Sequence, residues 1–138
     1  MLDFKWFDSL EVGVEAIDDD HRKMMGMLKE IQASICEQCL NTSKDLICDF
    51  IQLTRMHFIT EEKILKDAKF PNLKEHRLMH GQLMAQAIDL KKCVDNASHV
   101  DELEGCLHDL AGFLFHDLIG SDMEFKSHLQ QCGVAIRK

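Results

Sequence analysis

A chain of 138 residues with 46% hydrophobic content has enough material for one domain with a buried core. Its formal net charge of −8, with sixteen Lys and Arg scattered among twenty-four Asp and Glu, leaves no basic stripe for phosphates and argues against a nucleic-acid partner. One Pro, seven Gly and no Tyr favour helices over a turn-rich sheet, and no run approaches the ~20 apolar residues of a membrane span.

The first 17 residues read as an extended arm whose opening, MLDFKWFDSL, is acidic and amphiphilic rather than a charged start followed by an apolar run. From about 18 to 39 the residues Ile17, His21, Met24, Met25, Leu28, Ile31 and Ile35 recur at three and four, the stripe of an amphipathic helix. Asn41-Thr42-Ser43 offers a polar break and cap, and Leu46, Ile47, Phe50, Leu53, His57, Ile64 and Leu65 then carry a second helix over about 43–68. Pro71 stands where a third helix begins, with Leu73, His76, His80, Leu83, Met84, Ala87 and Ile88 on its stripe over about 72–94. After the turn Asp95-Asn96-Ala97-Ser98, a fourth helix runs over about 100–131 through Leu103, Leu107, Leu110, Phe113, Leu114 and Leu118. Short connections make neighbours antiparallel, so the expected fold is all-α, an up-down-up-down four-helix bundle forming a single domain over 1–138.

Six cysteines (Cys36, Cys39, Cys48, Cys93, Cys106, Cys132) occur without a secretory signal in a chain large enough to fold unstapled, so reduced thiols and a cytoplasmic location are expected. Cys36 and Cys39 form a Cys-x-x-Cys near a helix end, but no second pair stands at zinc spacing and no strand precedes it as in redox motifs. Met24, Met25 and Met27 read as adaptable core packing.

Polar residues sharing the apolar stripes are more informative, because a buried ionisable group is costly unless it is paired or bound to metal. His21 lies on the inner face of the first helix. His57 and Glu61 are four apart on the second, and His76 and His80 are four apart on the third, so each pair projects from one face. Singly, each histidine is explained by one hydrogen bond to a neighbour; jointly, the set would leave several buried donors and charges unsatisfied without a cation. Imidazole with carboxylate and no sulfur suits iron, manganese or zinc. His99, His108 and His128 read as solvent-exposed, and Glu62, Lys63, Lys91 and Lys92 as solvated helix surface.

The ordered series Trp6, Val12-Gly13-Val14, Ile17-Asp18-x-x-His21, His57-Phe58-x-x-Glu61-Glu62, Phe70-Pro71-x4-His76-x3-His80 and Gly120-Ser121-Asp122 resembles the hemerythrin family along nearly the whole chain. The resemblance implies a di-iron centre with an oxo or hydroxo bridge. It implies that His21 and His57 bind one iron, His76 and His80 the other, and that Glu61 and Asp122 bridge them. It also implies an open position for dioxygen or another small diatomic or peroxide ligand.

The family has a further histidine five residues before the bridging Asp, where this chain has Asp117 with His116 beside it. Asp117 lies three or four residues from Phe113 and Leu114 and so shares their stripe, whereas His116 aligns with Gly112 and Asp109. A one-residue bulge would reverse the two. A carboxylate in place of imidazole adds negative charge that favours the ferric state. Reversible dioxygen binding for storage, delivery or sensing is therefore weighed against a redox enzyme acting on dioxygen, peroxide or nitric oxide with an unidentified electron donor. A ferritin-like carboxylate centre is disfavoured because no Glu precedes a His by three, and the absence of Tyr excludes a tyrosyl radical. A closed structural zinc bundle would not need so many carboxylates.

Overall fold

The computed structural model describes residues 11–116 together with Lys126 and His128. Four helices follow one another: α1 (Glu15–Cys36), α2 (Leu40–Asp67), α3 (Leu73–Asn96) and α4 (Asp101–Phe115). In cross-section they form a ring in which α1 packs on α2 and α4, and α3 packs on the same two. With connections this short, the result is the expected all-α antiparallel bundle. The remainder of the expected fourth helix, including Asp117 and Asp122, lies outside the described residues apart from Lys126 and His128, as does Trp6.

The first boundary departs from the sequence expectation for a definite reason. α1 stops at Cys36, where Gln38 takes a left-handed conformation (φ 59°). Its N–H reaches the Ile35 carbonyl at 3.0 Å, and the Cys39 N–H reaches Ser34 at 2.9 Å. That pair of bonds satisfies the last carbonyls and reverses the chain. α2 ends the same way, with Lys69 at φ 56°, its N–H on Lys66 and the Phe70 N–H on Leu65, both at 3.0 Å. Asn41-Thr42-Ser43, expected as a break, lies inside the first turns of α2 instead. The Ser43 hydroxyl is directed across the helix pair to Ser34 Oγ at 2.6 Å rather than to its own helix end. Because a side chain in the left-handed region costs about 1–2 kcal/mol per residue, while glycine gives back part of that in the unfolded chain, Gln38→Gly is expected to stabilise the fold by about 0.5–1 kcal/mol. Urea unfolding of the iron-free protein measures it, and an unchanged or lower midpoint would contradict the motif. Cys36 and Cys39 are the last residue of α1 and the closing residue of this turn, and both thiols are free and exposed.

Two apolar layers divide the interior. The larger gathers Met24, Met25, Leu28 and Ile31 from α1, Ile47 and Phe50 from α2, Ala87 and Val94 from α3, and Leu103, Leu107, Leu110 and Leu114 from α4. A smaller layer joins the non-helical Val12 and Val14 to Ile17, Leu65, Ala68 and Phe70. Along α1 the order is Ile17, His21, Met24, and along α2 it is Phe50, His57, Glu61, Leu65, so the polar residues form a stratum between two dry ones. The segment before α1 closes that end. Gly13 turns at φ 92°, and the Val12 and Gly13 amides donate to the buried Asp18 carboxylate at 2.9 and 3.1 Å. Arg22 adds an outer tie by bonding both Glu11 and Asp19.

Candidate metal centre

Helical spacing places the polar stratum. His57 and Glu61 occupy adjacent turns of α2, and His76 and His80 adjacent turns of α3, so each pair faces the axis at one depth. His21 meets them from α1. All five residues are at most 4% exposed.

The Glu61 carboxylate lies at the middle. Its Oε1 is 2.6 Å from His76 Nε2 and 3.2 Å from His80 Nε2. Its Oε2 is 2.8 Å from His57 Nε2 and 3.8 Å from His21 Nε2. The two Nε2 atoms of His21 and His57 are themselves 2.9 Å apart. Two donor sets result, His21/His57/Glu61 and Glu61/His76/His80, each with its atoms within 4.8 Å of one another. One carboxylate, an oxygen to each side, joins them. Burial pushes the Glu61 carboxyl up, but the imidazoles of His57, His76 and His80 outweigh it and hold the group well below the usual carboxylate range.

Outer partners define the rings. His57 Nδ1 is 3.0 Å from Asp20 Oδ2, and His80 Nδ1 is 3.0 Å from Glu62 Oε2. The His57 ring holds Asp20 below its ordinary value, chiefly by hydrogen bonding, against the upward push of burial. An ionised carboxylate only accepts, so each Nδ1 carries the proton and Nε2 is the ring nitrogen left facing Glu61. Among the described residues, the buried Glu61 Oε2 accepts no aligned hydrogen bond. A cation in each set would be held by these inward Nε2 atoms and the Glu61 oxygens, and a nitrogen and oxygen donor set without sulfur matches iron, manganese or zinc. The residues present therefore fit a metal.

Of the residues singled out in the sequence, His21, His57, Glu61, His76 and His80 converge, while Asp117 and Asp122 lie outside the described residues. His116 is exposed, and the backbone winding at that residue is of the wider π type. Two surface expectations need correction. Glu62 is only 24% exposed at its side chain and binds His80, because its position on α2 turns it into the seam with α3. His128 is half-buried, with Nε2 2.7 Å from the Ala68 carbonyl and its ring 5.5 Å from Phe70, since the Phe70 corner brings a polar carbonyl and an apolar ring to one place. His99 and His108 are exposed. Asp20 was not singled out at all. Its signal, adjacency to His21, points at the wrong histidine, because its partner His57 is on the next helix.

A bundle of antiparallel helices with a buried stratum of imidazoles around one carboxylate defines a helical metal-binding protein. The sequence matches the family model described as the hemerythrin HHE cation binding domain over residues 12–127, and the chain belongs to the hemerythrin family. Among its relatives, a bacteriohemerythrin of Stenotrophomonas maltophilia is 24% identical over 131 residues, covering 91% of this chain and 84% of that one. A bacteriohemerythrin of Pseudomonas aeruginosa is 23% identical, covering 88% and 78%. A myohemerythrin of Riftia pachyptila is 22% identical, covering 91% and 93%.

Proposed function

We propose that this chain is a non-haem di-iron protein that binds dioxygen reversibly, for storage, delivery or sensing. The observation that carries the reading is Glu61, buried with one oxygen toward His21 and His57 and the other toward His76 and His80. His21 and His57 would hold one iron and His76 and His80 the other, with Glu61 and Asp122 between them. The further donor from the fourth helix would be Asp117, or His116 if the wide turn there inserts one residue. When bound, a ferrous pair supplies the electrons and the open coordination position that dioxygen uptake requires.

The chain's own contribution is enclosure and aim. Met24 and Met25 on one side and Ile17 and Leu65 on the other keep bulk water from the stratum. Phe58 lies against the His80 ring, with centroids 3.8 Å apart and planes 9° from parallel, which fixes the ring's tilt. No helix among the described residues is long and apolar enough to cross a membrane. The five described cysteines are all free thiols.

Anaerobic reconstitution with ferrous iron is expected to give two irons per chain and a visible absorption that appears with air and vanishes when oxygen is removed. Sustained consumption of dioxygen or peroxide with a reductant would instead mark a redox enzyme. In the same assay Asp117→Ala is expected to lower iron retention more than His116→Ala does. The reverse order would move the fourth helix's donor to His116.

A further inference from the structure

Consecutive residues of an α-helix point about 100° apart, so a neighbour of an inward-facing residue sits at the seam with the next helix. Asp20 follows this geometry beside His21, and Glu62 beside Glu61. Each reaches not its own helix's histidine but one on the next: Asp20 of α1 meets His57 of α2, and Glu62 of α2 meets His80 of α3, both at 3.0 Å to Nδ1. The same device is thus used twice, once for each donor set. Their side chains are 22% and 24% exposed, so water solvates the outer edge of each carboxylate while the inner edge meets a buried ring. Glu62 is braced further by Arg77, whose Nε is 3.3 Å from Oε1.

We propose that Asp20 and Glu62 are positioning residues, each holding one histidine of one half of the site in the tautomer and orientation that present Nε2 to metal. Neither belongs to either donor set. An ionised acceptor on Nδ1 keeps the proton there, leaves Nε2 as the ligating atom and raises its basicity. The inference rests on the iron reading and adds a division of labour to it: Asp20 serves the half built from His21 and His57, and Glu62 the half built from His76 and His80.

The test uses the full chain, anaerobic ferrous iron and a competing chelator, comparing the parent with Asp20→Ala, Glu62→Ala and the isosteric Asp20→Asn and Glu62→Gln. Each alanine variant is expected to weaken one of the two iron equivalents roughly 10–100-fold and spare the other. Asn and Gln retain an acceptor oxygen without the charge, so they should recover part of that loss. They also carry the test should an alanine variant fold poorly. In the proton NMR spectrum of the iron-loaded protein, each alanine variant should shift or lose one exchangeable imidazole N–H, the His57 signal for Asp20 and the His80 signal for Glu62. The proposal is overturned if the parent takes up two irons and the variants hold both as tightly with unchanged N–H signals, or if both variants weaken the same equivalent. A parent that takes up fewer than two irons would overturn the di-iron reading itself, and the inference with it.

Discussion

Glu61→Gln is expected to abolish paired iron binding, leaving less than one equivalent per chain, while His21→Ala keeps the equivalent held by His76 and His80. The asymmetry follows from the geometry. His21 belongs to one donor set, whereas Glu61 places Oε1 with one and Oε2 with the other. Glutamine has nearly the same shape but no charge, and its amide N–H₂ would point at an imidazole nitrogen that needs a cation. Both sets lose an anion at once, so the affinity loss should exceed the roughly 10–100-fold expected for removal of an outer partner. Unchanged helical circular dichroism in the iron-free variant separates this from misfolding. Retention of two tightly bound irons by Glu61→Gln would show that the carboxylate is not the shared ligand.

The helices were legible because their stripes are long and regular, and a period of three to four over twenty residues admits no strand reading. Their ends were less so. The turns at Gln38 and Lys69 use a left-handed residue that is not glycine, and nothing in either side chain announces that conformation. Asn41-Thr42-Ser43 carries a strong capping signal that tertiary packing overrode, since Ser43 pairs with Ser34 across the bundle. His21, His57, Glu61, His76 and His80 could be picked out because inward-facing polar residues break an apolar stripe. Asp20 and Glu62 could not, because a seam position has no periodic signature of its own and looks like any solvated acid. The run Asp18-Asp19-Asp20 shows the difficulty in three residues. Asp18 turns inward to the arm, Asp19 outward to Arg22, and Asp20 sideways to His57, a division set by helical rotation rather than by residue type.

Asp18→Ala is expected to destabilise the iron-free protein by about 3 kcal/mol, the second large effect and one that acts without touching a ligand. The carboxylate is fully buried in the first turns of α1 and accepts the amides of Val12 and Gly13. Hydrogen bonds to a charged partner contribute roughly 1.5–3 kcal/mol each, and removing the acceptor strands two buried donors. The anion also sits near the positive end of the helix dipole, which it complements. Asp18→Asn should recover about half of the loss, because one amide oxygen can serve one N–H while its N–H₂ group opposes the other. Urea unfolding checks both values, with the midpoint falling and the slope retained if only stability changes. Since this anchor ties Val12 to the small apolar layer beside the polar stratum, the same variant should also surrender iron to a chelator faster than the parent. A loss below about 0.5 kcal/mol, the scale of an ordinary surface substitution, would mean that the arm holds its place without Asp18, and that the seal over the polar stratum comes from apolar contact and the Arg22–Glu11 tie.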